Sequence, residues 1–276
     1  KLVSDEVKRL SLQYVRAENG RILCRGSMAD CARLNINLRC GARVMLVLGQ
    51  FPALSFEELF QGVRAIPWED YLPRDAAFPV KGYAISSQLH AVSACQSIIK
   101  KAVVKRLMQG HRTTSLPETG AEYKIRFMLR KNVCEIMLDT TGDGLHKRGY
   151  RREANLAPLH ETMAAAMVNL ARYRGRDFFW DPFCGSGTIC IEAAMIALNR
   201  APGLNRSFMA QKWSCVPETV WQQARTEALD REYRGEYHIL GSDIDPASLE
   251  IAQQNARKAG VGKLIEFREA DATKMS

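Results

Sequence analysis

The sequence predicts an α/β protein in which an α+β module precedes a doubly wound domain with a parallel sheet. Three observations lead to this prediction. Residues 178–180 form a short apolar run that is followed by a glycine turn and a helical pattern. A second strand, a helix and a third strand follow, and alternation of this kind builds a parallel sheet. In the first half, residues 123–129 and 134–138 alternate apolar and polar side chains on either side of a short turn, which is typical of a hairpin.

The composition is that of an ordinary globular protein with an excess of positive charge. The 276 residues are 46% hydrophobic and 25% charged, and the net charge is +9. This excess favours a polyanionic partner, although only as a tendency. No apolar run is long enough to span a membrane, so we expect a cytoplasmic protein that works away from membranes. The eight cysteines form no Cys-x-x-Cys pair, so we expect reduced thiols and no metal site.

The first 140 residues are predicted to form the α+β module. Its most regular helix covers residues 90–108, where apolar side chains recur at helical spacing and lysines occupy the other side. The capping pair of Ser55 and Glu58 begins a shorter helix, which Pro67 ends. A further helix is expected at residues 28–38, and further strands at residues 10–15, 22–24, 44–48 and 80–86.

The predicted hairpin is expected to lie in an antiparallel sheet with one face in water. Polar residues alternate with apolar ones along both strands, and Lys124 and Arg126 are among them. A basic, solvated sheet face suits a polyanion, so both residues are candidate RNA contacts. The alternative is an ordinary solvated face.

Residues 141–156 are expected to be a hinge, because three glycines interrupt any regular pattern there. A basic run with one aromatic residue crosses this hinge. Its positive side chains suit phosphates, and its tyrosine suits a stacked base. The alternative is a solvated linker between domains. The candidate RNA contacts of the hinge are Lys147, Arg148, Tyr150, Arg151 and Arg152.

Residues 157–276 are predicted to form the parallel domain. Its strands are expected at residues 178–180, 237–242 and 264–267, and its helices at residues 161–173, from 188 onwards, at 217–234 and at 246–259. Doubly wound sheets bind ligands at the carboxyl ends of their strands. The residues that end these strands are therefore candidate site residues.

The turn after the first of these strands is the candidate ligand cradle. Asp181 and Pro182 end the strand, and Gly185 and Gly187 allow a tight turn with no Cβ to block a ligand. A helix is predicted to begin at Thr188, and the N-terminus of a helix favours polar or anionic groups. The strand, turn and helix together predict a site for a nucleotide-like ligand.

The spacing of acidic residues argues against a nicotinamide dinucleotide. Position 190 is cysteine where the dinucleotide fingerprint has a third glycine, and Asp243 lies 58 residues after Gly185 instead of about 20. The carboxylate of Asp243 can accept hydrogen bonds from both hydroxyls of a ribose; a loop cap is the alternative. Asp245 precedes a proline and is predicted to cap a helix. Asp271 ends the third strand and either accepts from an adenine amino group or caps a turn.

Four segments of this half resemble motifs of class I S-adenosylmethionine-dependent methyltransferases, in the form used by nucleic-acid amino methylases. They are Asp181-Pro-Phe-Cys-Gly-Ser-Gly-Thr188, Gly241-Ser-Asp-Ile-Asp-Pro246, Glu269-Ala-Asp271 and Pro158-Leu-His-Glu-Thr162. The segment Leu138-Asp-Thr-Thr-Gly-Asp-Gly-Leu-His-Lys-Arg-Gly-Tyr-Arg151 is similar to the one that joins a THUMP domain to its methyltransferase domain. Over almost the whole chain, the sequence resembles the THUMP-containing guanine N2-methyltransferases of large-subunit ribosomal RNA, whose relatives modify transfer RNA.

This resemblance implies a fold, a cofactor and a set of site residues. Residues 1–140 would hold a THUMP RNA-binding domain with partial ferredoxin-like elements, and residues 157–276 the N-terminal half of a Rossmann-like methyltransferase domain. S-adenosyl-L-methionine would be the cofactor, with Asp181 and Glu161 facing its ammonium end, and RNA would be the partner. The implied cofactor contacts are Asp181, Pro182, Phe183, Gly185, Ser186, Gly187, Asp243, Asp271, Glu161 and Thr162.

One motif of the family is missing from the 276 residues. The family's catalytic Asn or Asp, followed by Pro-Pro and an aromatic residue, does not occur. In the family, that motif holds the target amine near the methyl group and stacks on the flipped base. We therefore expect a fragment that stops before the catalytic motif, exposes an apolar sheet edge at residues 178–180 and cannot methylate RNA by itself.

Three functions are weighed on these observations. The leading one is methylation of the guanine 2-amino group in RNA, with ribosomal RNA favoured over transfer RNA. The second is an RNA-binding protein without catalysis, which would bind RNA and leave the cofactor unbound. The third is a nicotinamide oxidoreductase, which would need the missing glycine and an earlier acidic residue.

Overall fold

The computed structural model describes residues 1–151 and 159–274, which fall into two compact units. Unit 1 comprises Lys1–Ala42, Asp143–Ser207 and Thr219–Ser276, and unit 2 comprises Arg43–Gly142 and Phe208–Glu218. The first 42 residues thus group with the second half of the chain. The domain limits near residues 140 and 157 stay a prediction.

The described residues form eight α-helices and nine strands. The helices are α1 Leu2–Arg9, α2 Met28–Asn37, α3 Phe56–Ala65, α4 Val92–Gly110, α5 Glu161–Leu170, α6 Thr188–Ala197, α7 Glu218–Asp230 and α8 Pro246–Ala259. The strands are β1 Gln13–Glu18, β2 Arg21–Arg25, β3 Met45–Pro52, β4 Val80–Ile85, β5 Ile125–Arg130, β6 Val133–Asp139, β7 Phe179–Asp181, β8 Ile239–Asp243 and β9 Ile265–Glu269. Helix α1 is missing from the sequence prediction because it is short and buries only Val7.

Unit 2 contains a four-stranded sheet in the order β3-β6-β5-β4. The predicted hairpin of β5 and β6 is confirmed, and β3 also pairs with β6 in antiparallel fashion. The expectation of an antiparallel sheet is wrong for β4, which pairs with β5 in parallel. Helix α4 connects these two strands, and a crossover of this kind is what parallel neighbours require.

The predicted wet face of the hairpin is present along β5 and interrupted along β6. In β5, Ile125, Phe127 and Leu129 are buried, whereas Arg126 and Met128 between them keep partial exposure. In β6, the polar residues Glu135 and Asp139 are buried. The carboxylate of Asp139 lies 2.7 Å from the Arg43 guanidinium and 3.5 Å from that of Arg126. Lys124 lies 3.1 Å from Glu122. Arg126 therefore neutralises a buried carboxylate, and Lys124 pairs with a neighbouring one.

Unit 1 contains an antiparallel hairpin of β1 and β2 and a parallel sheet in the order β7-β8-β9. The predicted parallel sheet is thereby confirmed. Helix α6 lies at the centre of the core, and most of its side chains are buried, as its apolar sequence predicts. Among the described residues β7 pairs only with β8, and Phe178 and Trp180 are exposed beside it. The predicted apolar edge is therefore present.

Two further observations concern the described part of the chain. None of its helices is long and apolar enough to cross a membrane. None of the eight cysteines forms a disulfide, and burial raises the pKa of the Cys134 and Cys184 thiols to about 12. These two cysteines are therefore protonated core residues.

Candidate functional site

The loop between β7 and α6 makes the predicted tight turn. Gly185 has a φ of +50° and Gly187 a φ of +80°, both in the left-handed region that favours glycine. A Cβ on Gly187 would lie 2.9 Å from the Cβ of Ala252 and 3.2 Å from Phe267, whereas a Cβ on Gly185 would meet nothing within 4 Å. Gly187 therefore allows close packing against α8, and Gly185 faces open space at the end of the sheet.

The carboxylate of Asp243 joins the ends of β7 and β8. One oxygen accepts a 2.8 Å hydrogen bond from the backbone N–H of Gly185, and the other accepts a 3.0 Å bond from the N–H of Asp245. These are the loop-cap contacts that the sequence offers as an alternative to ribose binding. A carboxylate oxygen has two lone pairs, so each oxygen retains capacity for a ligand hydroxyl. The structure thus places Asp243 against the glycine turn, so the ends of β7 and β8 meet at one place, as the sequence predicts.

The two other aspartates at strand ends both cap local structure. Asp245 accepts hydrogen bonds from the N–H groups of Ala247 and Ser248 at the start of α8, so its predicted role as a helix cap is confirmed. Asp271 accepts from the N–H and hydroxyl of Thr273 and lies 3.0 Å from the ammonium of Lys274. The turn cap is thus the observed contact of Asp271. Adenine binding by Asp271 stays a prediction.

Asp181, the last residue of β7, has one oxygen without a partner. Its Oδ1 accepts a 3.1 Å hydrogen bond from the N–H of Phe183, while its buried Oδ2 has no hydrogen-bond partner in the described part of the chain. Burial raises the pKa of this carboxyl, and the nearby charge of Asp243 raises it further. A buried acceptor without a partner is costly unless a ligand donor satisfies it, so Asp181 is suited to receive a cationic group.

The rest of the motif loop and the start of α5 complete the candidate site. Ser186 is buried in the loop, and Pro182 and Phe183 form its more accessible part. Glu161 is the first residue of α5 and is only 4% exposed, while Thr162 is half-buried. Burial raises the pKa of the Glu161 carboxyl. The predicted cofactor contacts therefore include two carboxyl groups whose charged form is destabilised by burial.

The structure corrects the RNA-contact predictions for Arg148 and Tyr150. Each is only 2% exposed, so neither can reach phosphates or bases in this conformation. Arg148 lies 3.3 Å from the Glu192 carboxylate and donates to the carbonyl oxygens of Leu145 at 2.7 Å and Arg39 at 2.5 Å. The guanidinium thus ties the basic segment to α6 and to the loop after α2.

The other residues of the basic run have different surroundings. Lys147 is 60% exposed and lies 3.2 Å from the Asp143 carboxylate, so it can still meet an RNA phosphate. Arg151 is largely enclosed, and its Nη2 donates to the hydroxyl of Thr188 at the start of α6. Arg152 lies outside the described residues. Of the hinge candidates in the described chain, only Lys147 keeps the exposure that RNA contact requires.

Glu192 is a structural residue that the sequence analysis overlooks. It is fully buried in the middle of α6, where its neighbours Ile191, Ala193 and Ala194 are apolar. A single carboxylate in an apolar helix indicates a buried cationic partner, because an unpaired buried charge is very costly. That signal predicts a buried cation beside α6, but the sequence does not indicate which residue supplies it.

No metal site accompanies these residues. Across residues 1–151 and 159–274, no group of three or more His, Cys, Asp or Glu side chains is arranged to hold a metal ion.

Comparison with known proteins places this geometry in a family. The chain matches three family descriptions in succession, an RlmL ferredoxin-like domain over residues 1–45, a THUMP domain over residues 53–139 and an RMKL-like methyltransferase domain over residues 148–276. It is 41% identical over 271 residues to YpsC of Bacillus subtilis, which is provisionally named an RNA methyltransferase, and the match covers 97% of this chain and 70% of YpsC. The chain belongs to the THUMP-containing, RMKL-like methyltransferases.

Other members of this methyltransferase family agree with the assignment. The ribosomal RNA large subunit methyltransferase K/L of Psychromonas ingrahamii is 34% identical over 280 residues, which cover 99% of this chain and 37% of that protein. A crystal structure from Listeria monocytogenes, whose description is a predicted N6-adenine-specific DNA methylase, is 46% identical with a TM-score of 0.96. The match covers 99% of this chain and 72% of the Listeria chain. SMU.472, a provisionally assigned methyltransferase solved in complex with SAH, is 42% identical with a TM-score of 0.93. The match covers 99% of this chain and 73% of SMU.472.

Proposed function

We propose that this chain binds S-adenosyl-L-methionine in the cradle between β7 and α6 and serves the methylation of the guanine 2-amino group in RNA. When bound, the cofactor supplies a methyl group on a sulfonium ion. The observation that carries the cofactor proposal is the 2.8 Å hydrogen bond from the Gly185 N–H to the Asp243 carboxylate. It holds a left-handed glycine turn and an acidic strand end together at the carboxyl edge of a parallel sheet, where such sheets bind ligands.

Each part of the cradle has a proposed task. The open space in front of Gly185 admits the adenosyl group close to the backbone, and Asp243 accepts from the ribose hydroxyls with its remaining lone pairs. Asp181, with its buried and unpartnered oxygen, and Glu161 accept from the ammonium of the methionine end. Burial leaves both carboxylates poorly solvated, so a bound cation stabilises their charged form.

RNA is the proposed partner, and ribosomal RNA of the large subunit the favoured one. The THUMP match over residues 53–139, the net charge of +9 and the names of the curated relatives support this choice. The relative from Psychromonas supports ribosomal RNA because its name specifies the large subunit. Lys147 is the proposed phosphate contact of the basic run, because it alone of the described hinge candidates is exposed.

The target can be identified by analysing modified nucleosides in cells. Large-subunit ribosomal RNA, transfer RNA and DNA are isolated from the organism with and without the gene for this chain, and each is digested for mass spectrometry. We expect deletion to remove N2-methylguanosine from the ribosomal RNA. Loss of N2-methylguanosine from transfer RNA alone would show that the substrate is transfer RNA and would favour a tRNA guanine N2-methyltransferase. Loss of N6-methyladenine from DNA would refute the proposal.

A second candidate function is RNA binding without catalysis. The observation that favours it is the absence of an Asn/Asp-Pro-Pro-aromatic motif, since no two of the ten prolines are adjacent. A polypeptide of residues 1–276 can therefore be assayed directly with RNA and tritiated cofactor. We propose that it binds S-adenosylhomocysteine but transfers no methyl group. RNA binding without cofactor binding would favour the second function, and methyl transfer would refute the proposed inactivity.

A further inference from the structure

We propose that Arg151 binds the carboxylate at the methionine end of the cofactor and so forms, with Glu161, a charge-matched subsite for that end. This inference rests on the proposed function and deepens it. The basic run predicts an RNA contact at Arg151, but the structure places this residue at the start of α6, beside the candidate cradle. The new assignment follows from where the guanidinium is held and from which of its donors remain available.

The guanidinium of Arg151 is held in a fixed position. Its Nη2 donates to the Thr188 hydroxyl at 2.5 Å and to the carbonyl oxygen of Leu159 at 3.2 Å. Only 13% of the side chain is exposed. A long side chain that is already ordered loses little conformational entropy when it binds a ligand, and the planar guanidinium fits a carboxylate well.

Part of the guanidinium lacks a hydrogen-bond acceptor. Its buried Nε has no partner in the described part of the chain, and its Nη1 lies 3.6 Å from the Glu161 carboxylate, beyond the length of a good hydrogen bond. A guanidinium carries five N–H donors, and buried donors normally find acceptors. The unsatisfied Nε–H therefore indicates that an acceptor is missing from this place.

The amino-acid end of the cofactor carries charges complementary to those of Arg151 and Glu161. It is a zwitterion, with a carboxylate for Arg151 and an ammonium for Glu161. Both interactions would be charge-assisted hydrogen bonds in a water-poor site, which are about twice as strong as neutral ones. The N-terminus of α6, which begins at Thr188, adds a favourable dipole for the carboxylate.

The competing explanation is that Arg151 only anchors the segment before it to α6. The two explanations differ in their dependence on the ligand's carboxylate. Isothermal titration calorimetry can therefore compare S-adenosylhomocysteine with S-adenosyl-3-thiopropylamine, the same compound without the carboxylate. The variants are Arg151→Ala, Arg151→Lys and Glu161→Gln. The matched control is Lys147→Ala, which removes an exposed cation of the same basic run.

We expect Arg151→Ala to weaken binding of S-adenosylhomocysteine by about 10- to 100-fold and to change binding of the decarboxylated compound by less than about twofold. Arg151→Lys should lose less, Glu161→Gln should weaken both compounds because both keep the ammonium, and Lys147→Ala should change neither. Equal losses for both compounds in Arg151→Ala, or no loss for either, would overturn the inference and leave the proposed function standing. Failure of the unmodified protein to bind either compound would refute the proposed function itself. If Arg151→Ala does not fold, Arg151→Lys replaces it in the test. A greater loss of affinity for S-adenosylhomocysteine than for the decarboxylated compound would then support the inference, and equal losses would overturn it.

Discussion

The backbone N–H of Gly185 donates a 2.8 Å hydrogen bond to the carboxylate of Asp243, 58 residues later in the chain. This bond connects the glycine turn after β7 with the end of β8. The same carboxylate accepts from the N–H of Asp245, which caps α8. One side chain therefore orders the proposed cofactor loop and keeps lone pairs that a ligand hydroxyl could use.

The first prediction concerns this carboxylate. Asp243→Ala removes the acceptor for Gly185 and the proposed acceptor for the ribose hydroxyls. Hydrogen bonds to a charged group contribute about 1.5–3 kcal/mol, so we expect affinity for S-adenosylhomocysteine to fall by about 10- to 100-fold. Calorimetric titration measures the change.

Asp245→Ala is the matched control for Asp243→Ala. It removes the cap of α8, and loss of a cap costs about 1 kcal/mol of folding stability. It should leave affinity for S-adenosylhomocysteine within about threefold of the unmodified protein, since the cap bonds point into the helix. Unchanged affinity in Asp243→Ala, or an equal loss in Asp245→Ala, would contradict the assignment of Asp243.

The second prediction separates the two glycines of the turn. Alanine at either position meets left-handed strain of about 1–2 kcal/mol. At Gly187 the added Cβ also crowds Ala252 at 2.9 Å, and overpacking costs about 1–3 kcal/mol more. Urea unfolding should therefore show Gly187→Ala to be the less stable variant. Gly185→Ala, with open space around its Cβ, should mainly lower affinity for S-adenosylhomocysteine; a greater stability loss at Gly185 would contradict this division.

The third prediction concerns the basic run. Arg148→Ala removes the guanidinium that lies 3.3 Å from the buried Glu192 carboxylate, while Arg39 still attracts that carboxylate. We therefore expect a loss of about 3 kcal/mol of unfolding free energy. Lys147→Ala, on an exposed neighbour, should change stability by less than about 0.5 kcal/mol and should weaken RNA binding instead. Urea unfolding and a filter-binding assay with ribosomal RNA measure the two effects. Similar stability of both variants would show that the Arg148–Glu192 pair is unimportant.

The fourth prediction concerns pH. Burial raises the pKa of the Glu161 and Asp181 carboxyls above their ordinary values of 4.5 and 3.8, so in the free protein they remain partly protonated above those values. The groups that modulate the Glu161 carboxyl are Arg151 and Arg148, which lower its pKa, and Glu192, which raises it. A bound ammonium favours the ionised form, so binding must release protons in this range. Affinity for S-adenosylhomocysteine should therefore rise as pH increases from about 4.5 towards neutrality and then level off.

Calorimetry in buffers of different ionisation enthalpy measures the released protons of this fourth prediction. Glu161→Gln removes one of the two titrating groups and should reduce both the proton release and the slope of affinity against pH. Affinity that is independent of pH, or that falls as pH rises, would contradict the proposed ammonium contacts of Glu161 and Asp181.

Much of unit 1 can be predicted from sequence because its signals are local. The apolar run of β7, the glycines after it and the Asp–Pro pair that begins α8 each fix a short segment by its own chemistry. The same reasoning fails where a partner lies far away in the sequence. The sequence around Arg148 predicts a solvated cation. The structure shows that Arg148 pairs with the buried Glu192, which lies 44 residues later.

The sheet of unit 2 shows the same limit. Alternation along β5 and β6 identifies two strands but does not reveal their position within the sheet. Asp139, at the end of β6, is buried and pairs with Arg43, which lies 96 residues earlier. Such pairings depend on tertiary packing, which short-range patterns do not contain.

A crystal structure of the protein with bound S-adenosylhomocysteine tests the central claim most directly. The account predicts density for the adenosyl group beside Gly185, ribose hydroxyls within hydrogen-bond distance of the Asp243 carboxylate, and the amino-acid end between Arg151 and Glu161. Density for the compound at another place, or none at saturating concentration, would contradict it.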